Sequence, residues 1–183
     1  MPRVDGVGRL TGSDTAMPLM RLIYVSRPHA ERMGSDFLAA CDDILLASRR
    51  NNDRDTITGA LVAAPRCFAQ VLEGRRAAVS ETFARICRDP RHERVEILEA
   101  RPIEQRRFGA WTMAFCDLAG VPEDLARRFR HGRDLDLATL APGALLAFLE
   151  EASRAQADDN AILGAPRPRI DMAEEIVFRA AAE

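Results

Sequence analysis

The chain has 183 residues, with 26 Lys and Arg against 28 Asp and Glu and a formal net charge of −2 at pH 7. This length is sufficient for one domain with a full hydrophobic core and a small appendage, but it is short for two domains. The near-neutral charge alternates in sign along the chain, which argues against a nucleic-acid surface or an anionic membrane as a partner.

The four cysteines, Cys41, Cys67, Cys87 and Cys116, are far apart in the chain and form no C-x-x-C pair. This spacing excludes the usual zinc and dithiol motifs, so we expect reduced thiols in the core and no metal site. No run approaches the roughly 20 apolar residues of a membrane span, and the N-terminus lacks the order of a signal peptide. We therefore expect a cytoplasmic protein without a membrane partner.

The first half of the chain contains the signals of a strand, a helix and a hairpin. Residues 1–19 are polar and aperiodic, which predicts a flexible tail, and the apolar run 22–26 predicts the first strand. Apolar residues then recur at helical spacing, which predicts a helix over residues 35–50. Two further apolar runs, 57–63 and 67–72, are separated by three residues with a proline and predict a hairpin.

The second half of the core contains the signals of one helix and two strands. A helical stripe predicts a helix over residues 79–87, and apolar runs predict strands at 95–100 and 108–116. In the last of these strands, Trp111 and Met113 alternate with smaller residues, so we expect both on one buried face. The resulting order favours an α+β, ferredoxin-like sandwich with a five-stranded sheet and two helices on one face.

The chain therefore divides into a core and C-terminal additions. The core is expected over residues 20–117, and the pattern of residues 118–153 predicts a helical extension. Residues 154–169 are polar and contain prolines, which predicts a linker. Residues 170–183 carry one apolar helical face, which predicts a short terminal helix.

Three polar side chains indicate a pocket for a planar ligand. The only tyrosine, Tyr24, and Gln70 are each the polar group on an otherwise apolar strand face, so both need buried partners. A phenol and a carboxamide can form a fully satisfied chain with a ring that donates and accepts hydrogen bonds. Asn52, near the end of the first helix, could pair with the ring edge at two points. An isoalloxazine has such an edge, so the pattern indicates a flavin pocket.

Each of these residues also has an ordinary explanation. Tyr24 and Trp111 alone are typical core aromatics, Gln70 suits a hairpin, and Asn52 suits a helix C-cap. The combination favours the ligand, and it has a photochemical consequence. An excited flavin is a strong oxidant and tyrosine can release an electron with a proton, so light could move charge between Tyr24, Gln70 and the flavin.

Six ordered segments carry a resemblance to a known family. They are Ile23-Tyr24-Val25-Ser26, Ser48-Arg49-Arg50-Asn51-Asn52, Ile57-Thr58-Gly59-Ala60-Leu61, Phe68-Ala69-Gln70-Val71-Leu72-Glu73-Gly74, Asp89-Pro90-Arg91-His92 and Arg106-Arg107-Phe108-Gly109-Ala110-Trp111-Thr112-Met113. With these segments the chain resembles the BLUF domain, a blue-light sensor module that uses flavin, over residues 20–117.

The resemblance implies roles for particular residues. Tyr24 would be the phototransfer donor, Gln70 the switching amide and Asn52 the anchor of the ring, while Trp111 and Met113 would exchange position or partner during signalling. The flavin-binding residues that it implies are Tyr24, Ser26, Ser48, Asn51, Asn52, Ile57, Gln70, Arg91 and His92. It also implies a rearranged glutamine, a small red shift and dark recovery, with FAD as the cofactor and FMN or riboflavin possible.

The sequence thus predicts a photoreceptor that acts through protein contacts rather than an enzyme. The residues after 117 are too few for a cyclase or phosphodiesterase, so we expect a homo-oligomer and an unidentified downstream protein. Arg49 or Arg50 could meet the flavin phosphates. Two alternatives remain open: a ferredoxin-like interaction module without a photocycle, and a flavin-dependent oxidoreductase, against which the missing Rossmann fingerprint and acid/base set argue.

Overall fold

The computed structural model describes residues 18–34, 37–109, 111–130 and 135–162, with side chains up to residue 156 in the last range. Residues 1–17 of the predicted tail, residues 163–169 of the predicted linker and the predicted terminal helix at 170–183 lie outside these ranges. Of the helices described, none combines the length and apolar character needed to cross a membrane.

Five strands and five helices form the described part of the chain. The strands are β1 (Leu19–Pro28), β2 (Thr58–Ala64), β3 (Cys67–Arg75), β4 (His92–Ile103) and β5 (Ala114–Asp117). The helices are α1 (Ala30–Met33), α2 (Phe37–Asp55), α3 (Arg76–Arg88), α4 (Glu123–Phe129) and α5 (Pro142–Ile162). Single 3-10 turns follow β5 and precede α5, at Leu118–Gly120 and Leu137–Thr139.

The strands form one sheet in the order β4-β1-β3-β2-β5. All neighbours are antiparallel except β2 and β5, which run parallel. The predicted α+β, ferredoxin-like sandwich with five strands is confirmed. The register of the central pair places Tyr24 on β1 opposite Gln70 on β3, so these two polar residues of the predicted pocket are direct cross-strand neighbours.

Each face of the sheet is covered by its own helices. On the face that carries Tyr24, residues of α2 and α3 close one apolar core. On the opposite face, which carries Ile23 and Val25, α4 and α5 close a second core. Because successive side chains of a strand point to opposite faces, β1 and β3 contribute apolar side chains to both cores and are buried on both sides over most of their length. The C-terminal helices α4 and α5 therefore cover one face of the sheet and are part of the same domain.

The last strand differs from its prediction, and the sheet order gives the reason. The chain leaves β4 at one edge and must reach the other edge, about 19 Å away across four strand spacings. Residues 104–113 make this crossing, so the strand predicted from residue 108 begins only at Ala114. The expected common face is also wrong, since Trp111 packs against the core of α4 and α5 whereas Met113 packs in the core of α2 and α3.

Two helices are longer than the sequence pattern indicated. α2 continues to Asp55, so Asn51 and Asn52 lie within the helix and the C-cap explanation of Asn52 is wrong. α5 continues through residues 154–162, which the polar composition had assigned to a linker. This stretch contains no proline or glycine, and the prolines that suggested the linker come later. Polarity alone therefore did not end the helix.

Gly59 is required where β2 approaches β3. A Cβ at this position would lie 2.0 Å from the carbonyl oxygen of Val71, a backbone atom that cannot turn away. We predict that Gly59→Ala lowers the free energy of unfolding by about 3 kcal/mol, because the strands must separate to admit the methyl group. Urea unfolding followed by circular dichroism measures this loss.

Gly143 provides the matched control. It lies in the first turn of α5, and an added Cβ would meet no atom within 4 Å. Gly143→Ala should raise the free energy of unfolding by about 0.5 kcal/mol, because alanine restricts the unfolded chain. Equal stabilities of the two variants would contradict the close approach at Gly59.

Candidate functional site

The centre of the site is a chain of three buried side chains. The Tyr24 hydroxyl donates a hydrogen bond to Oε1 of Gln70, and Nε2 of Gln70 donates to Sδ of Met113 at 3.2 Å. All three residues are almost fully buried. Burial raises the pKa of Tyr24 well above its usual range, and nearby Cys87 and Asp89 add to this effect. Tyr24 therefore keeps its proton and acts as the donor to the amide.

A pocket opens beside Gln70, between α2, α3 and the start of β4. Gln70 reaches it from the central strand β3, and Asn51 and Asn52 reach it from α2. The complete lining is Ile44, Ala47, Ser48, Asn51, Asn52, Gln70, Thr82, Arg85, Ile86, Asp89, Arg91 and His92. The members from each helix recur at intervals of three and four residues, so each helix presents one face to the pocket.

Asn52 connects the pocket with the segment that carries Met113. Its side chain is 1% exposed, and Nδ2 donates a hydrogen bond to the carbonyl oxygen of Thr112 at 3.2 Å. This bond uses one of the two N–H groups of the amide. Because Asn52 lines the pocket, its carbonyl oxygen and second N–H group would be the ones to serve a ligand there.

His92 forms the side of the pocket at the start of β4. Its Nδ1 and the Ser26 hydroxyl share a hydrogen bond of 2.9 Å, and its ring lies 4.9 Å from that of Phe68. Burial lowers the pKa of His92 to about 4, although the charge of Asp89 acts in the opposite direction. The imidazole is therefore neutral at pH 7 and offers one donor and one acceptor.

Charged residues at the pocket form ion pairs. Arg91 pairs with Asp89 at 2.6 Å, and Arg85 pairs with Asp55 at 2.5 Å and donates to Thr82 at 2.9 Å. Burial alone would raise the pKa of Asp89, but the hydrogen bonds from Arg91 outweigh it and lower that pKa. Each of the two arginines is thus paired with a carboxylate that compensates its charge.

The structure brings most of the predicted site residues together, in two layers. Ser48, Asn51, Asn52, Gln70, Arg91 and His92 line the pocket. Tyr24, Ser26 and Met113 lie behind this lining and reach it through hydrogen bonds to Gln70 and His92. Their roles toward a ligand remain predictions.

Two of the predicted site residues lie away from the pocket. Ile57 is buried in the core of α2 and α3, where its Cδ1 occupies the space that a Cβ at Gly74 would need. Trp111 packs against Phe108 on the other side of the sheet, with ring centroids 6.1 Å apart. In this structure neither side chain is placed to contact a ligand in the pocket.

Sequence reasoning missed the remaining lining residues. They are Ile44 and Ala47 on α2, Thr82, Arg85 and Ile86 on α3, and Asp89. Helical spacing contained a signal for those on α2, since positions 44, 47 and 48 lie one and two turns before Asn51 and Asn52. No such signal was available for α3, because its position beside α2 is set by the strands that separate the two helices in sequence.

The lining suits a flavin ring. Amides and a neutral imidazole supply hydrogen-bond donors and acceptors for the ring edge, while Ile44, Ala47 and Ile86 supply apolar contacts for its faces. Asn51, Asn52 and Gln70 would hold the polar edge. A planar heterocycle with both kinds of hydrogen-bonding group satisfies this set.

The depressed pKa of His92 predicts loss of stability in acid. The imidazole of the unfolded chain takes up a proton near pH 6.5, whereas that of the folded protein does so near pH 4. The contribution of neutral His92 is therefore complete above pH 6.5 and falls by about 3 kcal/mol as the pH drops to 4. Urea unfolding in the dark at several pH values measures this loss.

The His92→Gln variant isolates this contribution from that of the carboxylates. Glutamine retains a hydrogen-bonding group near Ser26 but does not titrate. The variant should lose less stability than the parent between pH 6.5 and 4. Parallel pH profiles for the two proteins would contradict the assignment.

Comparison with solved structures extends over most of this chain. BlrB, a BLUF protein solved in its dark state, is 32% identical, with 76% of this chain and 97% of BlrB covered and a TM-score of 0.60. BlsA in its photo-activated state is 29% identical, with 74% of this chain and 94% of BlsA covered and a TM-score of 0.65.

Curated relatives match over the sensor segment. The photoactivated adenylate cyclase subunit beta of Euglena longa is 36% identical over 103 residues, which is 56% of this chain and 12% of the relative. The blue light- and temperature-regulated antirepressor of Escherichia coli is 37% identical over 75 residues, which is 41% of this chain and 18% of the relative. The chain thus spans less than a fifth of these relatives.

The family model for sensors of blue light using FAD matches residues 19–114, just over half of the chain. This range contains the Tyr24, Gln70 and Met113 chain and every residue that lines the pocket. The match is to a family of flavin-binding blue-light sensors. The chain belongs to the BLUF family of blue-light sensors.

Proposed function

We propose that blue light rearranges the hydrogen bond between Tyr24 and Gln70, and that this change alters contacts of the chain with other proteins. The observation that carries the proposal is the buried series of phenol, amide and thioether beside the pocket. Gln70 is the middle member and contacts Tyr24 on one side and Met113 on the other, so a change in the amide changes both contacts.

Tyr24 and Gln70 are suited to a coupled movement of an electron and a proton. When bound, the flavin would supply a light-excited one-electron acceptor, and no net redox turnover is expected. The raised pKa of Tyr24 means that its hydroxyl releases a proton only as the electron leaves. Oε1 of Gln70 already accepts the hydrogen bond and is the first site for that proton. Both particles return to Tyr24.

Rotation of the Gln70 amide would be the lasting change. A half-turn exchanges the positions of Oε1 and Nε2, so an N–H group then faces Tyr24 and the carbonyl oxygen faces Sδ of Met113. Two acceptors cannot form a hydrogen bond with each other. The rotated amide therefore loses its bond to Met113, and the orientation of one side chain determines whether Met113 is held.

Met113 is connected to the C-terminal helices through β5. β5 begins at the next residue and pairs with β2, and α5 packs against both of these strands. A rearranged hydrogen bond contributes about 1 kcal/mol net, which shifts an equilibrium about fivefold. The contact that responds must therefore be nearly balanced in the dark.

We propose a second copy of the chain or an unidentified downstream protein as the responding partner. The names of the Euglena and Escherichia coli relatives pair a matched segment with a cyclase or with an antirepressor. Such different outputs support a sensor that acts through protein contacts. The sensor assignment disfavours the oxidoreductase alternative, and the intact Tyr24 and Gln70 pair disfavours a module without a photocycle.

We propose FAD as the cofactor, following the description of the family model. FMN and riboflavin share the ring that the pocket residues would contact. Identifying the flavin that unfolding releases from purified protein tests this proposal.

Absorption spectra before and after blue light test the photocycle. We predict a reversible red shift in the parent and none in Tyr24→Phe or Gln70→Leu, because each variant removes one end of the rearranging hydrogen bond. Tyr24→Phe retains the ring that packs edge-on against Phe83 at 5.4 Å, so the core is preserved. Gln105→Leu is the matched control, since Gln105 is exposed on the crossing segment, and it should keep the full shift.

Two results would contradict the proposal. A red shift that persists in Tyr24→Phe would exclude Tyr24 as the donor. Parent protein that holds flavin but has the same spectrum in the dark and after illumination would exclude the photocycle altogether.

A further inference from the structure

Three consecutive carbonyl groups at the end of the crossing segment are held by α2 and β2. The backbone N–H of Gly59 donates to the carbonyl oxygen of Trp111 at 3.2 Å. Nδ2 of Asn52 donates to that of Thr112, and Nε of Arg49 donates to that of Met113, both at 3.2 Å. Residues 111–113 precede β5, so these bonds replace the ladder that would hold a strand.

We propose that Arg49 is a positioning residue that holds Met113 beside Gln70 and thereby sets the rate of dark recovery. This inference rests on the function proposed above. The bond from Nε of Arg49 fixes the backbone of the residue whose Sδ accepts from Gln70 at 3.2 Å.

The surroundings of Arg49 favour this role over contact with a ligand. Its side chain is partly buried, and Arg49 is absent from the lining of the pocket. Among the ion pairs of the described residues, none includes Arg49. The Met113 carbonyl accepts the hydrogen bond of the guanidinium, and the carboxylate of Asp42 acts on it through its charge. The phosphate contact considered from the sequence is therefore not favoured.

Arg49 and Asn52 bind neighbouring carbonyl groups within residues 111–113. Residues three apart on a helix share a face, which places the two donors next to each other on α2. Asn52 lines the pocket and holds Thr112, whereas Arg49 holds Met113 and lies outside the lining. A change at Arg49 can therefore affect Met113 without removing a ligand contact.

This arrangement makes Arg49 a tether during the light reaction. Rotation of Gln70 removes the hydrogen bond to Sδ of Met113, but it leaves the bond from Arg49 to the Met113 backbone. The tethered residue stays close to Gln70, so the dark arrangement can form again. Without the tether, Met113 must return from a wider range of positions, and recovery becomes slower.

The test compares Arg49→Ala, Arg49→Lys and Arg50→Ala in the flavin-bound protein. Arg50 is the matched control, because it is the adjacent arginine of α2 and its side chain is exposed and absent from the pocket lining. Arg49→Ala should give the same red shift but recover at least about threefold more slowly, as expected for loss of one hydrogen bond. Arg49→Lys retains a cationic donor and should restore part of the rate, and Arg50→Ala should match the parent.

Hydrogen exchange in the dark provides a readout that needs no illumination. Amides of the peptide that contains residues 111–113 should exchange faster in Arg49→Ala than in the parent or in Arg50→Ala. If Arg49→Ala does not fold, Arg49→Met, which keeps a long side chain but has no N–H donor, replaces it in both measurements.

Specific results would overturn the inference. Recovery of Arg49→Ala at or above the rate of Arg50→Ala, or unchanged exchange of residues 111–113, would exclude the tether. A loss of flavin affinity with unchanged recovery would assign Arg49 to the phosphates instead. Failure of the proposed function would give a different result, because the parent itself would then show no red shift. Hydrogen exchange in the dark would still show whether Arg49 holds residues 111–113.

Discussion

The hydrogen bond between Tyr24 and Gln70 is the interaction on which the site depends. It follows from the register of β1 against β3, which places the two side chains opposite each other on a face closed by α2 and α3. An amide has one oxygen and one nitrogen, and here the oxygen meets a donor and the nitrogen meets the acceptor Sδ of Met113. Because Tyr24, Gln70 and Met113 are all buried, these hydrogen bonds lie largely out of solvent, and the orientation of this amide determines both contacts.

The crossing segment joins this amide to the opposite face of the sheet. Its first part is fixed by the fully buried Glu73, which pairs with Arg21 at 2.6 Å and accepts from the backbone N–H of Phe108 at 3.0 Å. Arg106 adds a hydrogen bond of 2.8 Å to the Glu73 carbonyl. Breaking a buried ion pair costs about 3–5 kcal/mol, more than a rearranged hydrogen bond supplies. A movement at Met113 is therefore directed toward β5 and α5 rather than back along the segment.

Local periodicity predicted the parts of this arrangement that depend on neighbours in sequence. Strand alternation placed Tyr24 and Gln70 on apolar faces, and helical spacing located α2 and α3. The start of β5 was not predictable in this way, because it depends on the distance between β4 and β2 in the finished sheet. For the same reason, alternation put Trp111 and Met113 on one face, whereas the crossing places them in different cores. Asn52 suited a helix C-cap by residue type, whereas its place inside α2 depends on a contact with Thr112, 60 positions away, that no local pattern indicates.

The most direct test of the central claim is a light-minus-dark infrared difference spectrum of protein labelled with an isotope in the tyrosine ring. Tyr24 is the only tyrosine of the chain, so the label reports this residue alone. If illumination changes the hydrogen bond from Tyr24 to Gln70, bands of the difference spectrum will shift with the label. A difference spectrum that is identical in labelled and unlabelled protein would show that Tyr24 keeps its dark contact and would contradict the account.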